Sequence, residues 1–267
     1  MPLPFALLVT AALVNAPTAE FVTPRCSTVG PVPDAVRGMF SLDPFYTKYV
    51  DADGLPVVSS AAPEDAALLR ACALVRNMLS RRADVHEKLI DLRARFVVIG
   101  KDEGTADIPE YGFRDKPQSE RDAINARARG LGGQAASCGE ENLMCLAGDR
   151  YPTESICVHE FSHTVSQAVY ELDHSFGDRL QVRFDSANAR GILAGTYRAT
   201  NPSEYLAEGA QDWYGTNAEA DLPDGNHNRV NTRSELAGAD PDLYALLGEF
   251  LPQDTRWPDC HASWPDQ

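Results

Sequence analysis

"CVHEFSHTV", residues 157–165, carries two histidines four apart with a glutamate directly after the first, in a chain with only six histidines. The surrounding apolar residues Ile156, Phe161, Val165, Ala168, Val169 and Leu172 recur mostly at three- and four-residue steps, so the stretch reads as an amphipathic helix beginning after Pro152. On a helix, residues four apart lie on one face. His159 and His163 can therefore offer ring nitrogens to one metal ion, with Glu160 beside it as a carboxylate able to take a proton from a metal-bound water. Two imidazoles do not complete a catalytic zinc site, which takes three protein ligands.

The search for the third ligand leads downstream. A ligand histidine six residues past His163 would have to stand at 169, with glycine at 166, but Val169 and Ser166 occupy those positions. His174 could be reached only by an early break in the helix, which no proline or glycine signals. In "NPSEYLAEGAQDW", residues 201–213, Glu204 and Glu208 are four apart on one face of a helix starting near Pro202. Glu204 could bind the metal and Glu208 accept the free ring N–H of a ligand histidine. The same spacing fits a capping box, with Asn201 as N-cap and Glu204 merely satisfying helix N–H groups. Spacing alone leaves the two open.

Around this core, "PEDAALLRACALVRNMLSRR" (63–82) places Leu68, Leu69, Cys72, Val75 and Leu79 on one helical face, and a second short helix follows through Leu92. "RFVVIG" (95–100) reads as a buried strand. Residues 101–135 have no clear period and read as a long loop with one short strand; further helices are expected between Phe176 and Leu193 and from Thr200 to Gly215.

The 267 residues suit one globular domain. Residues 1–19, with an apolar run from Leu3 to Val14 and then small residues, read as a cleaved secretory signal too short to span a membrane. Six cysteines remain, an even count without any C-x-x-C pair, which points to disulfides rather than a structural zinc cluster. Cys138 and Cys145 can pair only if residues 139–144 turn back, which Gly139 permits, and that local bridge is the expectation. N-glycosylation is not expected, since the one sequon-like match, at Asn201, has proline in the forbidden position. The net charge of −15 repels nucleic acid and anionic membranes.

Residues 140–214 resemble the catalytic core of the anthrax-lethal-factor-like metallopeptidases, a glutamate-zincin family that includes small secreted Pro-Pro endopeptidases and fungal conidiation-specific secreted proteins. In that family the third zinc ligand opens an E-x-x-x-E pair, and a tyrosine seven residues before it points at the metal. "YRATNPSEYLAE" places Tyr197, Glu204 and Glu208 in that spacing, behind a His-Glu-Phe-Ser-His stretch like the family's own. Looser likeness extends over residues 38–259.

The resemblance implies an α+β zincin-type domain over 38–267, after an N-terminal extension at 20–37. The active-site helix would pack under a small sheet, followed by a helix-rich C-terminal half. An edge strand near Glu140 to Cys145 could hold an extended substrate. It further implies one Zn²⁺ per chain on His159, His163 and Glu204, with Glu160 as base, Glu208 orienting a ligand and Tyr197 stabilising the oxyanion. The expected function is a secreted, monomeric, zinc-dependent endopeptidase acting on protein or peptide, with no nucleic-acid partner and no membrane after signal removal. The alternative is a catalytically silent secreted binding or developmental protein that keeps the fold and zinc. A third reading, a purely structural zinc, needs a fourth ligand such as His174 or His227.

Overall fold

The computed structural model describes residues 26–253 and 260–262; the leader expected over residues 1–19 lies outside them. In chain order the elements are β1 (Gly30–Pro31), α1 (Asp34–Phe40), β2 (Lys48–Ala52), β3 (Leu55–Ser59), α2 (Asp65–Leu79), α3 (Ala83–Asp91) and β4 (Arg95–Ile99). Then come α4 (Gln118–Arg127), β5 (Gly130–Leu131), β6 (Ala135–Gly139) and α5 (Glu140–Leu143). The remainder is helical: α6 (Ile156–Leu172), α7 (Ser175–Ala189), α8 (Pro202–Tyr214), α9 (Arg233–Ala239) and α10 (Pro241–Leu247). The described residues thus form an α+β fold with one six-stranded mixed sheet and a helix-rich C-terminal half.

The sheet order is β1-β2-β3-β4-β6-β5, with β3, β4 and β6 parallel and the other pairings antiparallel. After Arg95, β4 is apolar because both of its faces are covered. Phe96 and Val98 join the main core, whereas Val97 and Ile99 face a smaller cluster with Phe40, Tyr46 and Ile108. Phe161 of α6 meets Phe96 edge-on, ring centroids 5.6 Å apart, so the histidine-bearing helix lies directly against the sheet.

Several local readings change. Asp53 and Gly54 both have positive φ, the two-residue loop that closes the β2–β3 hairpin with the twist its strands require. This hairpin precedes the first helix pair and carries a period-2 pattern hidden by full burial of β3. Residues 26–37, which the sequence reading assigns to an N-terminal extension, supply β1 and a Cys26–Cys72 bridge. The stretch 101–135 contains α4, which leaves no apolar period because only its Ile124 is buried.

The edge strand expected at Glu140 to Cys145 is instead the helical turn α5, and the edge is β5. The Cys138–Cys145 bridge is likewise corrected: Cys138 joins Cys157, Cα atoms 5.2 Å apart, and Cys145 joins Cys260. The reason is the winding of α5, which carries Cys145 to the surface while Cys138 faces the core beside the first turn of α6. The Cys138–Cys157 bridge therefore staples the histidine helix to β6.

Candidate metal centre and cleft

The start of α6 is anchored twice. The Ser155 hydroxyl accepts the Val158 N–H, and Asn142 Oδ1 of α5 accepts the Ile156 N–H at 2.9 Å. One turn in, His159 and His163 stand together, ring centroids 5.0 Å apart. In α8, Asn201 is the N-cap, its side chain accepting from Ser203 N and Glu204 N at 2.9 and 3.0 Å. Helix capping is thus done by Asn201, and the Glu204 carboxylate turns elsewhere. Its Oε2 lies 3.0 Å from His159 Nε2 and 3.6 Å from His163 Nε2.

Those separations test the fit to a metal. Bonds of about 2.0–2.1 Å in a tetrahedron set the ligand atoms roughly 3.4 Å apart. The two observed distances fall on either side of that edge, so the Glu204 oxygen is placed to share a single divalent cation with each imidazole nitrogen. Among the described residues two groups have donor atoms within 4.8 Å of one another, His159 with Glu160 and His163, and Cys145 with Cys260 and His261, and the second has both sulfurs committed to a disulfide. His174, beyond the end of α6, meets Tyr170 edge-on and does not line the cleft. His227 does line it, with Nε2 3.4 Å from Glu154 Oε2.

Charge is tightly coupled here. Burial pulls the His159 imidazolium down, but the Glu204 contact, with Glu160, Glu208 and Gln211, outweighs it and lifts the pKa to about 10 in the metal-free protein. Burial pushes Glu204 up, and its contacts with His159 and His163 reverse that, holding its carboxyl well below the usual range. Burial drives the Glu160 carboxyl above its ordinary value, against the opposing pull of His159, His163 and a Gly132 N–H hydrogen bond. A carboxylate with a raised pKa is a better proton acceptor.

The cleft over these groups has a volume of about 840 Å³. One wall is β5 and the glycines after it. A methyl added at Gly132 would come within 2.6 Å of His163 Cβ, so glycine is what lets this strand lie against α6. Across the cleft, Tyr197 sits in a 3₁₀ turn, its ring centroid 6.3 Å from that of His159. Burial and the carboxylates of Glu204, Glu160 and Glu208 raise its phenol pKa, so it remains a protonated donor. The turn is held by its neighbour Arg198, whose guanidinium forms a fully buried two-bond pair with Asp212 of α8, 3.0 and 3.2 Å.

No protein-family model matches the chain, and no curated protein does. One solved structure, the Pro-Pro endopeptidase PPEP-2 from Paenibacillus alvei, is similar over 74% of this chain and 98% of that one, at 16% identity and a TM-score of 0.47. At that identity and score the likeness assigns no activity to this chain.

The fold thus brings His159, Glu160, His163, Tyr197 and Glu204 to one cleft. Glu208 is buried beside them, its Oε1 3.6 Å from His159 Nδ1, beyond hydrogen-bond reach. The groups that do meet the far ring nitrogens are ones sequence reasoning missed. Gln211 Oε1 lies 2.9 Å from His159 Nδ1, and Ser203 Oγ lies 2.9 Å from His163 Nδ1. Gln211 was findable, since Glu204, Glu208 and Gln211 follow the four-then-three spacing of one helical face. Glu154 lies in a loop with no period and carried no signal, and His227 was legible only as a possible fourth metal ligand.

Proposed function

We propose that this chain is a zinc-dependent endopeptidase of zincin type, with His159, His163 and Glu204 as the metal-holding set. The observation that carries the reading is the convergence of those three donors, the Glu204 oxygen 3.0 and 3.6 Å from the two imidazole nitrogens, beside the half-buried Glu160 carboxylate and a cleft-lining tyrosine. When bound, the cation supplies Lewis-acid polarisation of the scissile carbonyl and acidifies an attacking water. Glu160 takes that water's proton at its carboxylate and delivers it to the leaving amine. Tyr197 donates its phenol proton as a hydrogen bond toward the carbonyl oxygen as charge develops there. Glu208, a buried residue of α8 that accepts from the Asn217 amide, contributes negative charge behind His159.

An extended peptide suits the cleft because β5 is the last strand in the sheet order and its outer edge runs along the wall. The spacing of Tyr197, Glu204 and Glu208 matches the lethal-factor-like pattern and supports the same reading. Three disulfides are compatible with an oxidising, extracellular setting, and no helix among the described residues is long and apolar enough to cross a membrane.

The deciding experiment is metal analysis with peptide-library cleavage on the wild type and Glu160→Gln. Both proteins should hold about one zinc per chain, and the variant should lose cleavage by at least about 100-fold, because it lacks a proton acceptor and keeps every ligand. Equal cleavage by the two would end the mechanism. Zinc in both and cleavage in neither would leave the non-catalytic binding protein.

A further inference from the structure

A histidine that presents Nε2 to a metal must carry its remaining proton on Nδ1, and that proton needs an acceptor. His159 is buried, so the acceptor has to come from the protein. Two groups compete. Glu208 Oε1 stands at 3.6 Å, and its other oxygen takes the Asn217 amide at 3.1 Å, while the carboxylate faces Arg198. Gln211 Oε1 stands at 2.9 Å.

A glutamine side chain has two ends, however, and a half-turn would bring its NH₂ group against the Nδ1–H, donor against donor. What prevents the half-turn lies on the far side of the amide. Gln211 Nε2 donates to Glu154 Oε2 at 3.1 Å and to the Ser155 carbonyl at 3.3 Å, two acceptors that the carbonyl end could not satisfy. Glu154 is in turn braced by His227, whose backbone N–H is fixed by Asp224 Oδ1 at 2.7 Å. The same loop accepts the Tyr197 N–H at the Asn226 carbonyl, 2.8 Å. The oxyanion-side loop and the support of the metal ligand therefore share one wall of the cleft.

We propose that Gln211 is the positioning residue that holds His159 in its metal-binding tautomer, and that Glu154, braced by His227, fixes the orientation of the Gln211 amide. Glu154 and His227 line the cleft, so the chain of hydrogen bonds runs from the substrate wall to the metal ligand. This assignment rests on the metal-site reading above.

The test is the dissociation constant for Zn²⁺, measured by competition with a fluorescent chelator on the full chain. Gln211→Met keeps side-chain length and removes the acceptor; Glu154→Met removes the orienting carboxylate. Gln211→Met should bind zinc about 10- to 100-fold more weakly, and Glu154→Met more weakly by a smaller factor of about 3 to 10. The double variant should be no weaker than Gln211→Met, because Glu154 acts only through the amide. Affinity within about twofold of wild type in Gln211→Met, or losses that multiply in the double variant, overturn the proposal. Failure of the underlying reading looks different: the wild type itself takes up no zinc. Melting curves of the metal-free proteins report folding. Should Gln211→Met not fold, Glu154→Met decides alone, weakened zinc binding with an unchanged melting curve supporting the proposal and unchanged affinity overturning it.

Discussion

Gly132→Ala offers a sharp test of how the sheet edge is seated on the histidine helix. The added methyl would lie 2.6 Å from His163 Cβ, 2.9 Å from His163 Cδ2 and 3.0 Å from the Glu160 carbonyl oxygen. Carbon atoms rest at roughly 3.5–4.0 Å, so something must move by about 1 Å. The helix α6 is the less mobile partner, since it packs on Phe96 and is stapled to β6 by Cys138–Cys157. β5, a two-residue edge strand, gives way, and the Gly132 N–H leaves the Glu160 carboxylate. Overpacking of this kind costs about 1–3 kcal/mol. At about 2–4 °C per kcal/mol for a domain of this size, the melting temperature should fall by roughly 2–12 °C. Loss of that hydrogen bond to the base and a shift of the cleft wall by about 1 Å should lower kcat/KM on a cleaved library peptide by about 100-fold, with zinc content retained. Gly38→Ala is the control, because its Cβ meets nothing within 4 Å, and a helical alanine should leave melting unchanged or slightly higher. A Gly132→Ala protein that melts and cleaves like wild type would refute the close seating of β5 on α6.

Other expectations follow from the same site. His163→Ala and Glu204→Ala should both lose zinc by metal analysis, whereas a glutamate that served only the helix terminus would cost about 1 kcal/mol and leave the metal in place. Tyr197→Phe keeps the ring and removes the hydroxyl, and should lower kcat by about 100- to 1,000-fold with zinc content and KM nearly unchanged; a change under about threefold would return the residue to packing. With the metal-free His159 pKa lifted to about 10, the ring is charged at about pH 7, and zinc must displace its proton. Calorimetry in buffers of different ionisation enthalpy should therefore find about one proton released per zinc from this ring, and affinity should weaken as pH falls; zinc uptake without proton release would contradict the coupling.

What the sequence determined alone is local. The three- and four-residue steps after Pro152 place His159 and His163 on one face of a helix, as the turn of an α-helix requires wherever that helix packs. Asn201 and Pro202 mark the start of α8, and "RFVVI" marks a strand covered on both faces, again from short-range chemistry. The tertiary structure decided what depends on contacts across long stretches of chain. Glu204 suits a cap and a ligand equally by spacing, and only the packing of α8 against α6 turns its carboxylate toward two imidazoles while Asn201 takes the helix N–H groups. Cys145 finds Cys260 rather than Cys138 because a single helical turn redirects it, a matter of direction that spacing does not encode. Glu154, Gln211 and His227 meet from segments 16 to 73 residues apart, joined by hydrogen bonds that exist only once the loops have closed on the helix pair.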